Sequence, residues 1–271
     1  MAGYEAVIGL EVHVQIKTDS KMFCKCPNRF GSEPNTNVCP VCMGHPGVLP
    51  TPNREAIRKT VMAGLMTECR IPNRSKFDRK SYFYPDMPKN YQLTQYDMPF
   101  CLAGRIHIHG KGFSGEEMAD KYIGLTRIHL EEDVAKLTHF GDCSGVDFNR
   151  AGVPLMEIVS EPDMRSADEA YAYLSALKQI MQFGGIGDCD MEKGQMRCDV
   201  NISIRHRGDE KFGTKIELKN LNSFRAVHRA ITYEIKRQII MLEAGDVIHQ
   251  ETRGWNDDVG ESYLMRSKEN A

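Results

Sequence analysis

The stretch 4–17 reads YEAVIGLEVHVQIK and alternates apolar or β-branched residues with polar ones over its second half. Alternate side chains of a β-strand point to the same face, so Glu11, His13 and Gln15 would share one face. A purely structural strand more often exposes Thr, Lys and Ser. This stretch therefore predicts a strand that carries functional polar groups.

Amphipathic runs and turn signals predict further helices and strands on the C-terminal side of this strand. Ser166 and Ser223 are typical N-cap residues, and Gly184 and Gly245 are typical helix ends. The segment after Gly245 is short and polar, and no regular element is predicted in it. The predicted elements are a helix over 53–68, antiparallel strands over 75–135, a helix over 167–183, a hairpin over 196–220 and a helix from 223 to about 244. Together they predict one α+β domain over nearly the whole chain.

The composition predicts an ordinary globular protein that does not bind nucleic acid over its whole surface. The chain has 271 residues, of which 41% are hydrophobic and 27% charged, and a formal net charge of −2. Contacts with RNA would therefore be local, and DNA is not expected as a partner. Without a long apolar run or a basic leader, a cytoplasmic protein that does not associate with membranes is expected. The nine cysteines fit reduced thiols better than a disulfide framework.

Four cysteines occur as two close pairs within the segment 23–48. Cys24 and Cys26 precede Cys39 and Cys42, and the residues between them are rich in Gly, Pro and Asn. Four thiolates on such a loop can form the tetrahedron of a structural zinc site, closed to water. A fifth ligand from His45 is not needed. A redox pair is the alternative, disfavoured because no βαβ pattern surrounds the motif.

Three acidic or histidine motifs lie on apolar, strand-like segments: GLEVHV, RIHLEEDVAK and PLMEIVSEPD. Glu157, in the third motif, is flanked by Met and Ile and is costly to bury without a neutralising partner. Carboxylates with at most one imidazole suit magnesium, which in turn holds ATP for phosphoryl transfer. For Glu131 or Asp133 taken singly, a surface salt bridge is the simpler interpretation.

The P-loop motif G-x-x-x-x-G-K-[ST] is absent, and the G-x-G-x-x-G pattern at 110–115 falls in a predicted turn between strands, not before a helix. Phosphates would then need dispersed basic residues. The segment KFDRKSYFYPDMPKNYQ interleaves basic and aromatic residues, a pattern that also fits local RNA contacts. Its relevant members are Lys76, Arg79, Lys80, Lys89, Tyr82 and Tyr84.

The predicted hairpin places polar rows on facing strands. Asp199 and Asn201 share a face of its first strand, and Glu217 and Lys219 share a face of the second. A cleft-lining role and an exposed salt-bridge ladder remain equally open for these residues.

Long strings in this sequence resemble a known family. They include VIGLEVHVQIKTDSKMFC, NTNVCPVCMGHPGVLP, SKFDRKSYFYPDMPKNYQLTQYDMP, DFNRAGVPLMEIVSEPD, MRCDVNISIR and GTKIELKNLNSFRAV, and they span most of the chain. They are similar to the GatB family, the B subunits of the aspartyl/glutamyl-tRNA(Asn/Gln) amidotransferases. The resemblance implies an antiparallel half-barrel with packed helices, similar to glutamine synthetase and guanido kinases, and an inserted zinc loop.

The resemblance also implies an activity, that of a glutamine-hydrolysing carbon–nitrogen ligase. ATP and magnesium would phosphorylate the side-chain carboxylate of mischarged Glu-tRNA(Gln) or Asp-tRNA(Asn), and ammonia would then form the amide. The amidase subunit of the family would release the ammonia, and a further, small subunit would complete a heterotrimer. Residues 1–271 would form the catalytic cradle, and the helical and tRNA-binding tail domains of the family would be absent.

Carried over to this sequence, the family's magnesium ligands fall on His13, Glu132 and Glu157, with Glu11 beside them. Further candidates for nucleotide or aminoacyl contacts are Lys80, Tyr82, Asp199 and Asn201. A zinc-stabilised tRNA-binding scaffold and an autonomous small-molecule carboxylate kinase are the contrasting hypotheses.

Overall fold

The computed structural model describes residues 3–268, which form twelve strands and three helices. The strands are β1 (Tyr4–Gln15), β2 (Asp78–Ser81), β3 (Tyr91–Thr94), β4 (Cys101–Lys111), β5 (Glu117–Glu132), β6 (Lys136–Phe140), β7 (Cys143–Asp147), β8 (Pro154–Ser160), β9 (Met196–His206), β10 (Ile216–Lys219), β11 (Glu251–Asn256) and β12 (Glu261–Ser267). The helices are α1 (Arg54–Met66), α2 (Ala167–Phe183) and α3 (Phe224–Glu243).

Eight strands form the main sheet, in the order β12-β11-β10-β9-β1-β8-β5-β4. All neighbours are antiparallel except β10 and β11, which are parallel and connected through α3. The first strand of the chain thus lies inside the sheet, between two strands that are remote from it in sequence. Two small hairpins, β2-β3 and β6-β7, form separate two-stranded sheets.

The helices begin where the sequence predicts. The side chain of Asn53 accepts hydrogen bonds from the backbone N–H groups of Glu55 and Ala56 and caps α1. Ser166 and Ser223 cap α2 and α3 in the same way. Each cap satisfies backbone donors that have no partner within the helix, which is typically worth about 1 kcal/mol.

The apolar face of the main sheet packs against the helices. Leu10, Val12 and Val14 of β1 are fully buried and belong to one core cluster with Leu174 of α2 and Ile231 of α3. Burial of each large aliphatic side chain contributes roughly 1.5–3 kcal/mol. Because strand side chains alternate, the polar residues of β1 must then face away from the helices.

The strands β11 and β12 lie where no regular element is predicted from the sequence. Residues 251–267 form a short, polar segment, in which β12 pairs with β11 and β11 pairs with β10. The strand β10 precedes the whole of α3. Their strand conformation therefore depends on a long-range contact that local patterning does not report.

The structure confirms a mixed α+β fold with a large, mostly antiparallel sheet and three helices. Closure into a half-barrel and kinship with glutamine synthetase stay predictions. None of the helices within residues 3–268 combines the length and apolar composition that a membrane span requires.

Candidate functional site

Two histidines and two glutamates meet on the polar face of the main sheet. The strand register sets His13 of β1 opposite Glu157 of β8, and Glu157 opposite His129 of β5. Glu131 lies two residues beyond His129 and therefore on the same face. We call His13, His129, Glu131 and Glu157 the carboxylate–imidazole cluster.

Short distances join the members of this cluster. The Nε2 atom of His13 lies 3.3 Å from Oε2 of Glu157 and 3.6 Å from Oε1 of Glu131. The Nε2 atom of His129 lies 3.5 Å and 3.6 Å from the same two carboxylates. The Glu131 side chain is only 4% exposed, and it accepts a hydrogen bond from the Thr94 hydroxyl at 3.1 Å. The carboxylates are thus held by strands on both sides.

The negative charge of the cluster carboxylates is offset by the neighbouring imidazoles. Burial alone would raise the pKa of Glu157, but the hydrogen bond from His13 and the charges of His129, His13 and Arg127 lower it to about 2. Burial likewise would lower the pKa of His13, but Glu157 and Glu131 raise it above its ordinary value. The two shifts agree, because each ion favours the charged form of the other.

The cluster fits a divalent cation. One ligand atom each from His13, Glu131 and Glu157 lies within 4.8 Å of the others. Opposite ligands of magnesium lie about 4.2 Å apart, given ligand distances of about 2.1 Å, so small side-chain movements bring these atoms into coordination range. The two carboxylates supply the oxygen ligands that magnesium prefers, and His13 adds one nitrogen donor.

Glu132 is not part of this cluster. Its carboxylate forms an ion pair with Lys89 and accepts a hydrogen bond from the backbone N–H of Leu93 at 3.0 Å. Its side chain is 3% exposed. Adjacent residues of a strand point to opposite faces, so Glu131 and Glu132 cannot both reach the cluster. In this structure Glu131, and not Glu132, lies beside His13 and Glu157.

Glu11, Asp199 and Asn201 lie on the polar face beside the cluster. The Asn201 amide donates to Oε1 of Glu11 at 2.9 Å. Asp199 is the register partner of Glu11 and pairs with Lys219, which also lies 3.3 Å from Glu217. Asp199 and Lys219 thus form an ion pair on this face, and Asn201 orients Glu11.

Lys80 and Tyr82 belong to the β2-β3 hairpin. Lys80 lies in β2 and is exposed, and Tyr82 follows that strand. Burial, together with the nearby Asp86, raises the pKa of Tyr82. The hairpin reaches the cluster through Thr94 of β3. It thus forms one side of the polar face.

An open cavity of about 700 Å³ adjoins the cluster. Gln15 and Arg197 line it, and Arg197 is the register partner of His13. Both side chains hold the buried Asp133, the Gln15 amide at 2.8 Å and the Arg197 guanidinium at 3.0 Å. The basic residues among the lining side chains are Lys17, Arg29, Lys136, Arg150, Lys193 and Arg197. Asp147, Asp188 and Glu192 also line the cavity, so its basic residues outnumber its acidic ones by six to three.

His129 and Arg197 were not predicted from the sequence to lie at the site. A usable signal for His129 was its spacing, because His129 and Glu131 are two residues apart in a strand and share a face. No local signal was available for Arg197, whose position depends on the pairing of β9 with β1.

The cysteine loop brings its four thiols together. The Sγ atoms of Cys24, Cys26, Cys39 and Cys42 all lie within 4.8 Å of one another, and none forms a disulfide. Sulfur atoms around tetrahedral zinc are about 3.8 Å apart, so the set fits that ion. A hydrogen bond from Cys24, with the charge of Lys21, lowers the pKa of Cys42 to about 4. The convergence of both pairs favours a metal site over a two-cysteine redox centre.

The model of the GatB/GatE catalytic domain matches residues 6–271 of the chain. The chain belongs to this family. It is 57% identical over 274 residues to the B subunit of the aspartyl/glutamyl-tRNA(Asn/Gln) amidotransferase of Methylacidiphilum infernorum, a match that covers 99% of this chain and 56% of the relative. The protein of the same name from Caldanaerobacter subterraneus is 56% identical over 269 residues, with 99% and 55% coverage.

A third relative, from Moorella thermoacetica and of the same name, is 52% identical over 272 residues, covering 99% of this chain and 56% of the relative. The predicted resemblance to the B subunit of these amidotransferases is therefore confirmed. The chain spans about half the length of these curated relatives.

Proposed function

We propose that the polar face of the main sheet activates the side-chain carboxylate of a glutamate or aspartate attached to tRNA. The single observation that carries this proposal is the convergence of His13, Glu131 and Glu157 from three strands. The names of the relatives support the substrate class, aminoacyl-tRNA that is mischarged for Gln or Asn. The products would be Gln-tRNA(Gln) and Asn-tRNA(Asn).

In this proposal His13, Glu131 and Glu157 hold magnesium, with Glu131 in the role first expected for Glu132. Magnesium, when bound, offsets negative charge on the phosphates of ATP, so that one anion can attack another. Thr94 orients the Glu131 carboxylate through its hydrogen bond. His129 fixes both carboxylates from the adjacent strand.

The proposed reaction has two steps, phosphorylation and amidation. An oxygen of the substrate carboxylate bonds to the γ-phosphorus, and the bond from that phosphorus to the bridging oxygen breaks, with ADP leaving with the electron pair. Ammonia then attacks the acyl carbon of the resulting acyl phosphate, loses a proton and expels inorganic phosphate. The basic residues of the adjoining cavity, such as Arg197 and Lys136, are suitable for the phosphates.

The remaining roles follow from the family resemblance. Lys80, Tyr82, Asp199 and Asn201 are proposed contacts for the nucleotide or the aminoacyl group. Ammonia would come from glutamine through an amidase subunit, with another, small subunit completing the heterotrimer. Residues 1–271 would act in the cytoplasm as the catalytic cradle, and helical and tail domains would supply most tRNA affinity.

We further propose that Cys24, Cys26, Cys39 and Cys42 hold a structural zinc ion. Four sulfur ligands close the coordination shell, so the ion stabilises the loop and leaves no position for substrate. Elemental analysis should find one zinc per chain. A folded, reduced and zinc-free preparation would contradict this assignment.

The phosphorylation proposal is tested by ATP hydrolysis that depends on mischarged tRNA, measured with the full-length subunit in its complex. Glu157→Gln should lower this rate by at least about 100-fold, because a magnesium ligand loses its charge. Glu5→Gln is the matched control on β1, since Glu5 pairs with Arg205 and Arg165, outside the cluster. An unchanged rate in Glu157→Gln would favour the scaffold hypothesis, and turnover of free glutamate without tRNA would favour a small-molecule kinase.

A further inference from the structure

The cysteine loop and the carboxylate–imidazole cluster are connected by a buried ion pair. Lys89 and Glu132 form this pair, with side chains 8% and 3% exposed. Neither residue is assigned a role by the proposed chemistry. Removing charges from water is expensive, so a pair buried to this extent needs a structural or functional reason.

One end of the pair contacts the cysteine loop. Gly44 has a φ of 69° and packs directly on the Lys89 stem, where an added Cβ would lie 3.2 Å from the Lys89 Cα. Gly152 separates Oε2 of Glu132 from Cys42, with both within 4 Å of a Cβ built at that glycine. Cys42 of the loop, Gly152 and the Lys89–Glu132 pair line a cavity of only about 20 Å³, so the loop packs closely on the pair.

The other end of the pair contacts the cluster. Glu132 and Glu131 are adjacent in β5, and β3 holds both of them. The backbone N–H of Leu93 donates to Oε1 of Glu132 at 3.0 Å, and the Thr94 hydroxyl donates to Oε2 of Glu131 at 3.1 Å. The Gln92 amide donates to the backbone carbonyl of Glu132 at 2.8 Å. A shift of Glu132 must therefore move Glu131 or strain β3.

We propose that metal bound by the cysteine loop raises the affinity of the cluster for a divalent cation, and that the Lys89–Glu132 pair transmits this effect. This inference rests on the proposed function. An ordered loop presses Gly44 on Lys89, keeps Glu132 in place and so presents Glu131 to the cation. Lys89 and Glu132 are positioning residues in this arrangement, because they act through Glu131. Coupling requires a contiguous network with two arrangements, and the loop with and without its metal supplies them.

The test measures Mn²⁺ affinity by electron paramagnetic resonance, and zinc content by elemental analysis, in the full chain. Lys89→Met should weaken Mn²⁺ binding about tenfold while zinc is retained. Gly44→Ala should act in the same direction by displacing the Lys89 stem. Lys89→Arg, which keeps the charge, should recover part of the affinity. Lys121→Met is the matched control on β5, because Lys121 also forms an ion pair with a glutamate, Glu169, at 3.0 Å and lies outside the cluster.

Removal of zinc with a chelator should weaken Mn²⁺ binding about tenfold in the wild type and much less in Lys89→Met, because two changes on one path are not additive. By linkage, bound Mn²⁺ should make zinc harder to remove by the same factor. Circular dichroism shows whether each variant is folded. If Lys89→Met does not fold, the Mn²⁺ affinity of Gly44→Ala tests the proposal instead. Equal Mn²⁺ affinity with and without zinc overturns the coupling, whereas a folded wild type that binds no Mn²⁺ overturns the proposed function itself.

Discussion

Carboxylates on the polar face of the main sheet have two kinds of partner, lysines toward one edge and histidines toward the other. Glu217, toward the β12 edge, faces the ammonium groups of Lys219 at 3.3 Å and Lys268 at 2.7 Å. Glu131 and Glu157, toward the β4 edge, face the imidazoles of the cluster. One group has permanent cations, and the other has partners that can lose their charge.

This difference distinguishes the structural ion pair of Glu217 from the proposed cation site. Lysine remains protonated at neutral pH, so Glu217 is neutralised whether or not a ligand is present. Imidazole can give up its proton and become a metal ligand, so a divalent cation can replace the positive charge within the same set of carboxylates. Two acidic groups on one face thus differ in function because of the cation beside them.

Removing one carboxylate of the cluster should have the largest effect on the binding of a divalent cation. Glu131→Gln should weaken Mn²⁺ binding on the order of 100-fold, about 3 kcal/mol, because a charged ligand is replaced by a neutral one. The free energy of unfolding should change by less than about 1 kcal/mol, since the new amide oxygen still accepts from Thr94. Paramagnetic resonance and urea denaturation measure the two quantities. Full Mn²⁺ affinity in this variant would remove Glu131 from the site.

The converse result is expected for the lysine-paired carboxylate. Lys268, Lys219 and the Thr252 hydroxyl outweigh the effect of burial and lower the pKa of Glu217 to about 2. Because the pKa in the folded state lies below the unfolded value of about 4.3, the carboxylate stabilises the fold above that pH. This contribution is lost as the pH falls from about 4.3 toward 2. Glu217→Gln should lower the free energy of unfolding at pH 7 by about 2 kcal/mol.

In the same variant, Mn²⁺ affinity should remain that of the wild type, because Glu217 lies outside the cluster. Urea denaturation at pH 7 and pH 3 checks the stability and its pH dependence. A loss of Mn²⁺ binding without a loss of stability would reverse the roles assigned to the two groups.

Local sequence patterns predicted much of the fold. Three predicted features depend on only a few residues each: the N-caps of α2 and α3, the alternation along β1 and the spacing of the four cysteines. Such features follow from the conformation of a single segment, so they need no knowledge of strand pairing.

The parts that were not predicted depend on strand pairing. The choice between Glu131 and Glu132 is a shift of one residue, and a shift of one residue changes the face of every side chain in a strand. The sequence RIHLEEDVAK offers both acids, and the pairing of β5 with β8 places Glu131 on the face of His13 and Glu157. The ion pair of Glu132 with Lys89 likewise joins residues that are 43 positions apart.

The smallest predicted effect concerns Asn201, which lies between the cluster and the lysine-paired Glu217. Asn201 donates to Glu11, next to the cluster, and its register partner on β10 is Glu217. Asn201→Ala removes one hydrogen bond and should lower the free energy of unfolding by about 1 kcal/mol, measured by urea denaturation. Mn²⁺ affinity should change less than about threefold, because Glu11 remains charged and the proposed ligands His13, Glu131 and Glu157 are untouched. A loss of Mn²⁺ binding as large as that expected for Glu131→Gln would instead place Glu11 and Asn201 inside the cation site, and the boundary would move one strand toward the β12 edge.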